Sequence, residues 1–198
     1  MLYDKNIREP LFDFLEERYT KIRIIEEKQM GRSRADVVMV TEDSVVGIEI
    51  KSDADTYTRL QRQIRDYDRF FDYNYVVAGS RHAMHIEEKV PPWWGIITAE
   101  EIERKVDFYL LRSPGENPNL IWKNKLKLLW RPELAHIQEL NQLPRYKEKS
   151  KAFVIDKIIE KVPKELLKIQ ISEELFERDY HQIEHIIRAY KAGTKSCQ

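Results

Sequence analysis

The 198 residues suffice for one substantial domain, or for one domain with an appended unit. With 42% hydrophobic and 34% charged residues, no apolar run near the ~20 residues of a membrane span and no basic-then-apolar leader, the composition predicts a globular cytoplasmic protein. The single cysteine, Cys197, excludes an internal disulfide framework and a cysteine-based zinc site, and the zero net charge hides an uneven spread: 18 basic and 23 acidic residues in 1–122, against 12 basic and 6 acidic in 123–170.

The first element expected is a helix over 4–19. Ile7, Leu11, Phe14, Leu15 and Arg18 fall on one side, with Asp13, Glu16 and Glu17 on the other. Pro10 is expected near the first turn, because an interior proline destabilises a helix by ~3 kcal/mol. A strand over 22–29 follows, with Gly31, Arg32 and Ser33 as a turn. Neighbours on a strand point oppositely, so only one of Glu26 and Glu27 can face a given side.

Two short β-branched runs come next, Arg34–Val40 and Val45–Ser52, joined by Thr41-Glu42-Asp43-Ser44. They predict a hairpin. In its second strand Gly47, Glu49 and Lys51 share one face, and Ile48 and Ile50 take the other. A carboxylate and an ammonium thus project side by side from an apolar strand, which is costly to bury without a use. Asp36 opens the partner strand and can converge on the same spot.

A helix over 56–72 is expected next, capped by Asp55 or Thr56. Tyr57, Leu60, Ile64, Tyr67 and Phe71 form its apolar stripe, with Gln63 at the edge. Arg59, Arg62, Arg65 and Arg69 occupy the other sides, where they can contact phosphates or pair with Asp66, Asp68 and Asp72. Tyr75–Gly79 reads as a buried parallel strand reached by a right-handed crossover. Residues 80–89 predict a short helix with His82 and His85 at the surface. Trp93–Thr98 predicts a final edge strand, its tryptophans capping the core or stacking on bases. A short helix over 100–105 and a strand at 108–111 follow, and the loop 113–119 is the candidate boundary. Beyond it, 120–130, 132–140, 150–162 and 172–190 show helical spacing, and 193–198 are expected to be loose. The basic block is either a phosphate-binding surface or a solvated helix face.

Asp36, then Glu49-Ile50-Lys51 one strand later, then a helix carrying Gln63, resembles the core of the PD-(D/E)XK nuclease superfamily. More narrowly, Ser33-Arg34-Ala35-Asp36, the run Gly47 to Asp53, Asp55-Thr56 followed by Arg59-Leu60 and Gln63, and Pro91-x-Trp93-Trp94-Gly95-Ile96 resemble the sce7726 family, a branch of that superfamily. This resemblance implies a restriction-endonuclease-like mixed α/β sheet of four or five strands, in α-β-β-β-α-β order over 1–112, with a helical C-terminal unit over 120–192. It implies Mg²⁺ or Mn²⁺ held by Asp36, Glu49 and the backbone carbonyl of Ile50, with Lys51 and Gln63 completing the catalytic set; hard oxygen donors favour those ions over zinc. Glu9 on the first helix and Glu27 on the first strand are the candidates for an additional acid. Arg34, Arg59, Arg62, Lys123, Lys125 and Lys127 are the expected nucleic-acid contacts. The function implied is a metal-dependent nuclease that hydrolyses phosphodiester bonds, first of all in DNA, with room for a homodimer. Two alternatives stay open: a nuclease fold that binds nucleic acid or a partner without turnover, and an interaction module whose acids are structural.

Overall fold

Six strands build one mixed sheet in the computed structural model, which describes residues 2–30 and 33–178. They are β1 (Arg23–Met30), β2 (Ser33–Val40), β3 (Val45–Lys51), β4 (Tyr73–Gly79), β5 (Trp94–Ile102) and β6 (Lys105–Arg112), side by side in chain order. β1, β2 and β3 run antiparallel, β3, β4 and β5 parallel, and β6 antiparallel to β5. Every residue of β3 is buried, because helices cover both faces of the sheet. Helix α1 (Asp4–Arg18) lies on one face, where Ile7, Leu11 and Leu15 share a core with Val37, Met39, Ile48, Ile50, Tyr75 and Val77. Helix α2 (Leu60–Asp68) lies on the other face, with α3 (Ser80–Ala83) in the β4–β5 crossover. The order up to β4 is the expected α-β-β-β-α-β.

The C-terminal helices are α4 (Trp122–Lys127), α5 (Arg131–Leu140), α6 (Lys151–Lys161) and α7 (Lys164–Phe176). Leu126, Leu134, Val154, Ile158, Leu167 and Ile171 join Val38, Val45, Ile64, Tyr67 and Trp94 in one apolar cluster. These helices therefore complete the core on the α2 face. The loop before them is bolted down, since Asn117 Nδ2 donates to the Asp68 and Phe71 carbonyls at 2.7 Å each.

Several local expectations are corrected. The sheet has six strands, because residues 100–102 continue β5 and 103–104 make a tight turn rather than a helix. Glu103 and Arg104 have φ of 51° and 68°, as a primed hairpin turn requires. β6 then alternates, with Val106, Phe108 and Leu110 packed on the α1-side core, so β5 is not an edge. Pro10 lies inside α1, past the first turn, and Arg18 is exposed. α2 is preceded by a 3-10 turn at Tyr57–Arg59, and Asp55 does not cap it. Asp55 instead accepts from the Ser52 N–H (2.9 Å) and hydroxyl (2.6 Å) at the end of β3. His82 is buried against the Tyr57 ring and bonded to the Asp55 carbonyl, whereas His85 is exposed as expected.

The acids of α2 also have partners other than its arginines. Asp66 accepts from Ser33. Asp68 accepts from the indole N–H groups of Trp93 (3.2 Å) and Trp94 (2.8 Å). Asp72, just past the helix, accepts from Lys125. Helix α7 starts directly after Pro163, earlier than 172. It ends at Phe176, short of the expected 190, and residues 179–190 of that expectation, the 193–198 tail, Cys197 and turn residues 31–32 lie outside the described residues. Among the described residues, no helix is long and apolar enough to cross a membrane.

Candidate metal-binding active site

The site forms where the β2–β3 hairpin opens into a fork. Its turn is tight, with the Thr41 N–H donating to the Ser44 carbonyl at 2.9 Å, and the strands pair from Val40↔Val45 as far as Val37↔Ile48. Beyond that pair they part, and the Asp36 carboxylate fills the gap. Its Oδ2 accepts the Ile50 N–H at 2.9 Å. A strand residue presents its N–H and C=O to the same side, so the Ile50 carbonyl is turned into the same fork.

Asp36 has also left the ladder on its other side. Glu26 pairs with Val37 and Lys28 with Ala35, but Glu27 and Asp36 do not pair, and Glu27 has φ of 51°. The Asp36 N–H donates to the Tyr67 hydroxyl (3.1 Å), and its carbonyl accepts from the Arg8 guanidinium (3.0 Å). The consequence is visible in packing. Ala35 joins the α2-side core and Val37 the α1-side core, although residues two apart on a regular strand share a face. The side-chain alternation is thus reset at Asp36, in the manner of a bulge beside an active site.

β3 keeps its alternation. Gly47, Glu49 and Lys51 face α2, and a Cβ on Gly47 would stand 2.3 Å from Phe71 Cδ2 and 2.6 Å from Tyr67 Cδ1. Glycine at 47 is what lets α2 lie close enough for its side chains to meet Glu49. Lys51 Nζ donates to Glu49 Oε1 at 2.6 Å and to Gln63 Oε1 at 3.0 Å, and Gln63 Nε2 donates to the same Glu49 oxygen. Glu49 and Lys51 are only 1% and 5% exposed. Glu49 Oε2 is buried and accepts no hydrogen bond. The Tyr67 hydroxyl stands beside this carboxylate but is committed to the Ile48 carbonyl at 3.2 Å.

Burial, and then the neighbouring Asp36 charge, push the Glu49 carboxyl up to about 7 against the opposing pull of Lys51. Burial likewise raises Asp36, while the Ile50 N–H and Lys51 lower it. Two facing carboxylates that each resist ionisation, one with a free buried oxygen, suit a divalent cation with hard-donor preferences. Glu49 holds its proton more tightly when folded, so its contribution is fully present below about pH 4.5 and is lost as pH rises through about 7. We expect metal-free stability to fall over that window by up to ~3 kcal/mol relative to Glu49→Gln. Denaturant midpoints of the two proteins at several pH values check this; parallel pH profiles would refute it.

The other expected site residues separate. Glu9 is exposed on α1. Glu27 is exposed and paired with Arg34 at 2.9 Å, so neither Glu27 nor Arg34 is turned to the fork. The acid of α1 that acts on Asp36 is Asp4, whose charge helps raise it and which is held by Arg8 at 2.7 Å. The Asp4–Arg8 spacing of i, i+4 was the available signal for this pair. The hydroxyl of Tyr67 was equally hidden behind a core position. Arg59, Arg62 and Lys127 are exposed, and half-exposed Lys123 pairs with Asp156 at 2.7 Å. Lys125 is a correction: it is fully buried and bonded to Asp72 at 2.6 Å, so it cannot meet a nucleic acid. Among the described residues no group of three or more His, Cys, Asp or Glu gathers at one point. The carboxylate donors at the fork are therefore Asp36 and Glu49.

Residues 1–194 match the family described as Bacteriophage P4 protein cII. That match, running along nearly the whole chain, overturns the sce7726 assignment, which rested on a few short motifs. No curated protein matches the chain. Among solved structures the chain is similar to Pyrococcus furiosus SfsA in complex with Ca²⁺, with 17% identity and a TM-score of 0.31. The likeness covers 57% of this chain and 61% of that one, less than two thirds of its length.

Proposed function

The chain belongs to the bacteriophage P4 protein cII family, whose description names no reaction, and from its own site we propose that it is a metal-dependent phosphodiesterase acting on nucleic acid, DNA in the first place. The observation that carries this reading is the buried, partnerless Oε2 of Glu49 beside Asp36, with Lys51 bonded to the other oxygen. A buried carboxylate oxygen without a hydrogen bond is expensive, and a ligand that takes it removes the penalty.

Asp36, Glu49 and the Ile50 carbonyl are the groups that would hold Mg²⁺ or Mn²⁺. Such an ion supplies Lewis-acid polarisation of a phosphate and lowers the pKa of water. The remaining work falls to the chain. The Lys51 ammonium orients the attacking water and offsets the charge that builds on the phosphoryl oxygens. Gln63 keeps Lys51 and Glu49 in register through its two hydrogen bonds. Arg8 and Tyr67 hold the Asp36 backbone from opposite faces of the sheet. Arg59, at the end of the 3-10 turn, and Arg62, on α2 with Gln63, are exposed and can meet backbone phosphates.

Cleavage of single-stranded, duplex and branched DNA and RNA, each with Mg²⁺ and Mn²⁺, tests the activity. Calorimetric titration with Mn²⁺ tests the site directly: wild type should bind and Asp36→Ala should not. Equal heats from both proteins would reject the metal site. A wild type that binds Mn²⁺ and DNA yet cleaves nothing would leave the binding-only alternative in possession of the fold.

A further inference from the structure

A second concentration of charge lies on the α2 face of the sheet, around Trp130. Lys28 leaves β1 opposite Ala35, the residue before Asp36, and its Nζ stands 5.9 Å from the centre of the Trp130 ring. The Arg178 guanidinium lies over the same ring at 4.3 Å. Arg178 is buried and held by both oxygens of Glu133 at 2.6 Å and by the Leu128 carbonyl at 2.9 Å. Lys151 Nζ donates to the carbonyls of Lys127, the last residue of α4, and Leu129, just past it. Lys127 itself is exposed beside them.

Glu133 thus serves as the carboxylate for three neighbouring cations, and its two oxygens are taken by one of them. Among the described residues no carboxylate lies within ion-pair distance of Lys28. Burial, and next the Arg178 charge, lower the Lys28 ammonium to about 8. A half-buried cation that shares the Trp130 ring with Arg178 and feels the Lys151 charge is under-neutralised, and an anion arriving there relieves the repulsion. The face is also that of Glu49, Lys51 and Gln63.

We propose that Lys28, with Lys151 and Lys127 beside it, forms a subsite for a backbone phosphate of DNA, separate from the phosphate that is cleaved. This subsite rests on the nucleic-acid reading of the fork. The competing role for Lys28 is packing alone, its aliphatic stem covering Trp130.

Lys28→Met keeps the apolar stem and removes the charge, and Lys28→Arg keeps both. Fluorescence anisotropy of a labelled short duplex DNA, in metal-free buffer across a salt series, reads the subsite without cleavage. Lys28→Met should bind about fivefold more weakly, with a salt slope shallower by about one, while Lys28→Arg retains wild-type affinity. Hydrolysis of bis(p-nitrophenyl) phosphate, which has no second phosphate to anchor, should be the same in all three proteins. Unchanged affinity and slope in Lys28→Met, with melting unchanged, would overturn the subsite. So would a wild type that does not bind the duplex, or a loss seen only with an RNA strand. Absent hydrolysis together with a loss of DNA affinity in Lys28→Met would sink the catalytic reading and leave the subsite standing.

Discussion

Lys51→Ala is expected to reduce phosphodiester cleavage by ~10²-fold or more, comparable to the loss of one preorganised donor at a developing negative charge. Single-turnover rates on the best substrate of the panel measure this. Duplex affinity should change little, because one phosphate contact is a small share of a binding energy spread over several. The metal-loaded variant should remain folded, since the ion replaces the ammonium as the counter-charge of Glu49. Without metal the variant should be less stable than wild type, because Glu49 then keeps only Gln63 as a hydrogen-bond donor and loses its cation. Wild-type protein inert on every substrate, and DNA affinity indifferent to Lys51, would defeat the catalytic assignment.

The largest effect on folding is expected at Lys125. Its ammonium is fully buried, donates to both oxygens of Asp72 at 2.8 and 2.6 Å, and lies 5.2 Å from the centre of the Trp122 ring. Burial lowers its pKa, and Asp72 opposes that shift. Asp72 in turn accepts the Val45 N–H at 2.8 Å, so this pair joins the C-terminal helices to the start of β3. Lys125→Ala strands a buried carboxylate and should destabilise by about 3–5 kcal/mol. For a chain of this length that lowers Tm by very roughly 6–20 °C. Pairing Lys125→Met with Asp72→Asn should recover much of the loss, because no uncompensated charge remains and the Val45 N–H keeps an acceptor. Scanning calorimetry on the three proteins checks this. Lys125→Ala melting like wild type would show the pair to be dispensable. At fixed temperature below the transition, its DNA salt slope should match wild type, unlike that of Lys28→Met.

The lysines of α4 show how far a charge pattern carries. Lys123, Lys125 and Lys127 read alike as members of a basic block. In the folded chain the first pairs with Asp156 on α6, the second is buried on Asp72, and the third is exposed. Alternate residues on a helix point in different directions, and the partner each meets comes from another element, 33 positions away for Lys123 and 53 for Lys125. Lys28 showed no signal of its own, because its setting is made by Trp130 and Arg178 from distant elements. The Asp acids after Gln63 looked equally like i, i+4 partners for the helix arginines, yet Asp68 is taken by two indole N–H groups and Asp72 by Lys125.

What the sequence determined by itself is local. Period-two alternation placed Glu49 and Lys51 on one face of β3, a short polar turn joined β2 to β3, and the helical stripe of Tyr67 and Phe71 left Gln63 at an edge from which it reaches both. These follow from backbone periodicity, which a handful of residues imposes without help. What only the tertiary structure decided is every feature that breaks periodicity or joins distant segments. The unpaired Glu27 and Asp36, the fork that turns the Asp36 carboxylate to the Ile50 N–H, and the hold of Arg8 and Tyr67 on its backbone exist because two helices grip β2 from opposite faces. Helix acid Asp4, rather than Glu9, acts on Asp36 for the same reason: the burial of Ile7, Leu11 and Leu15 fixes the rotation of α1, and that rotation is chosen by the sheet.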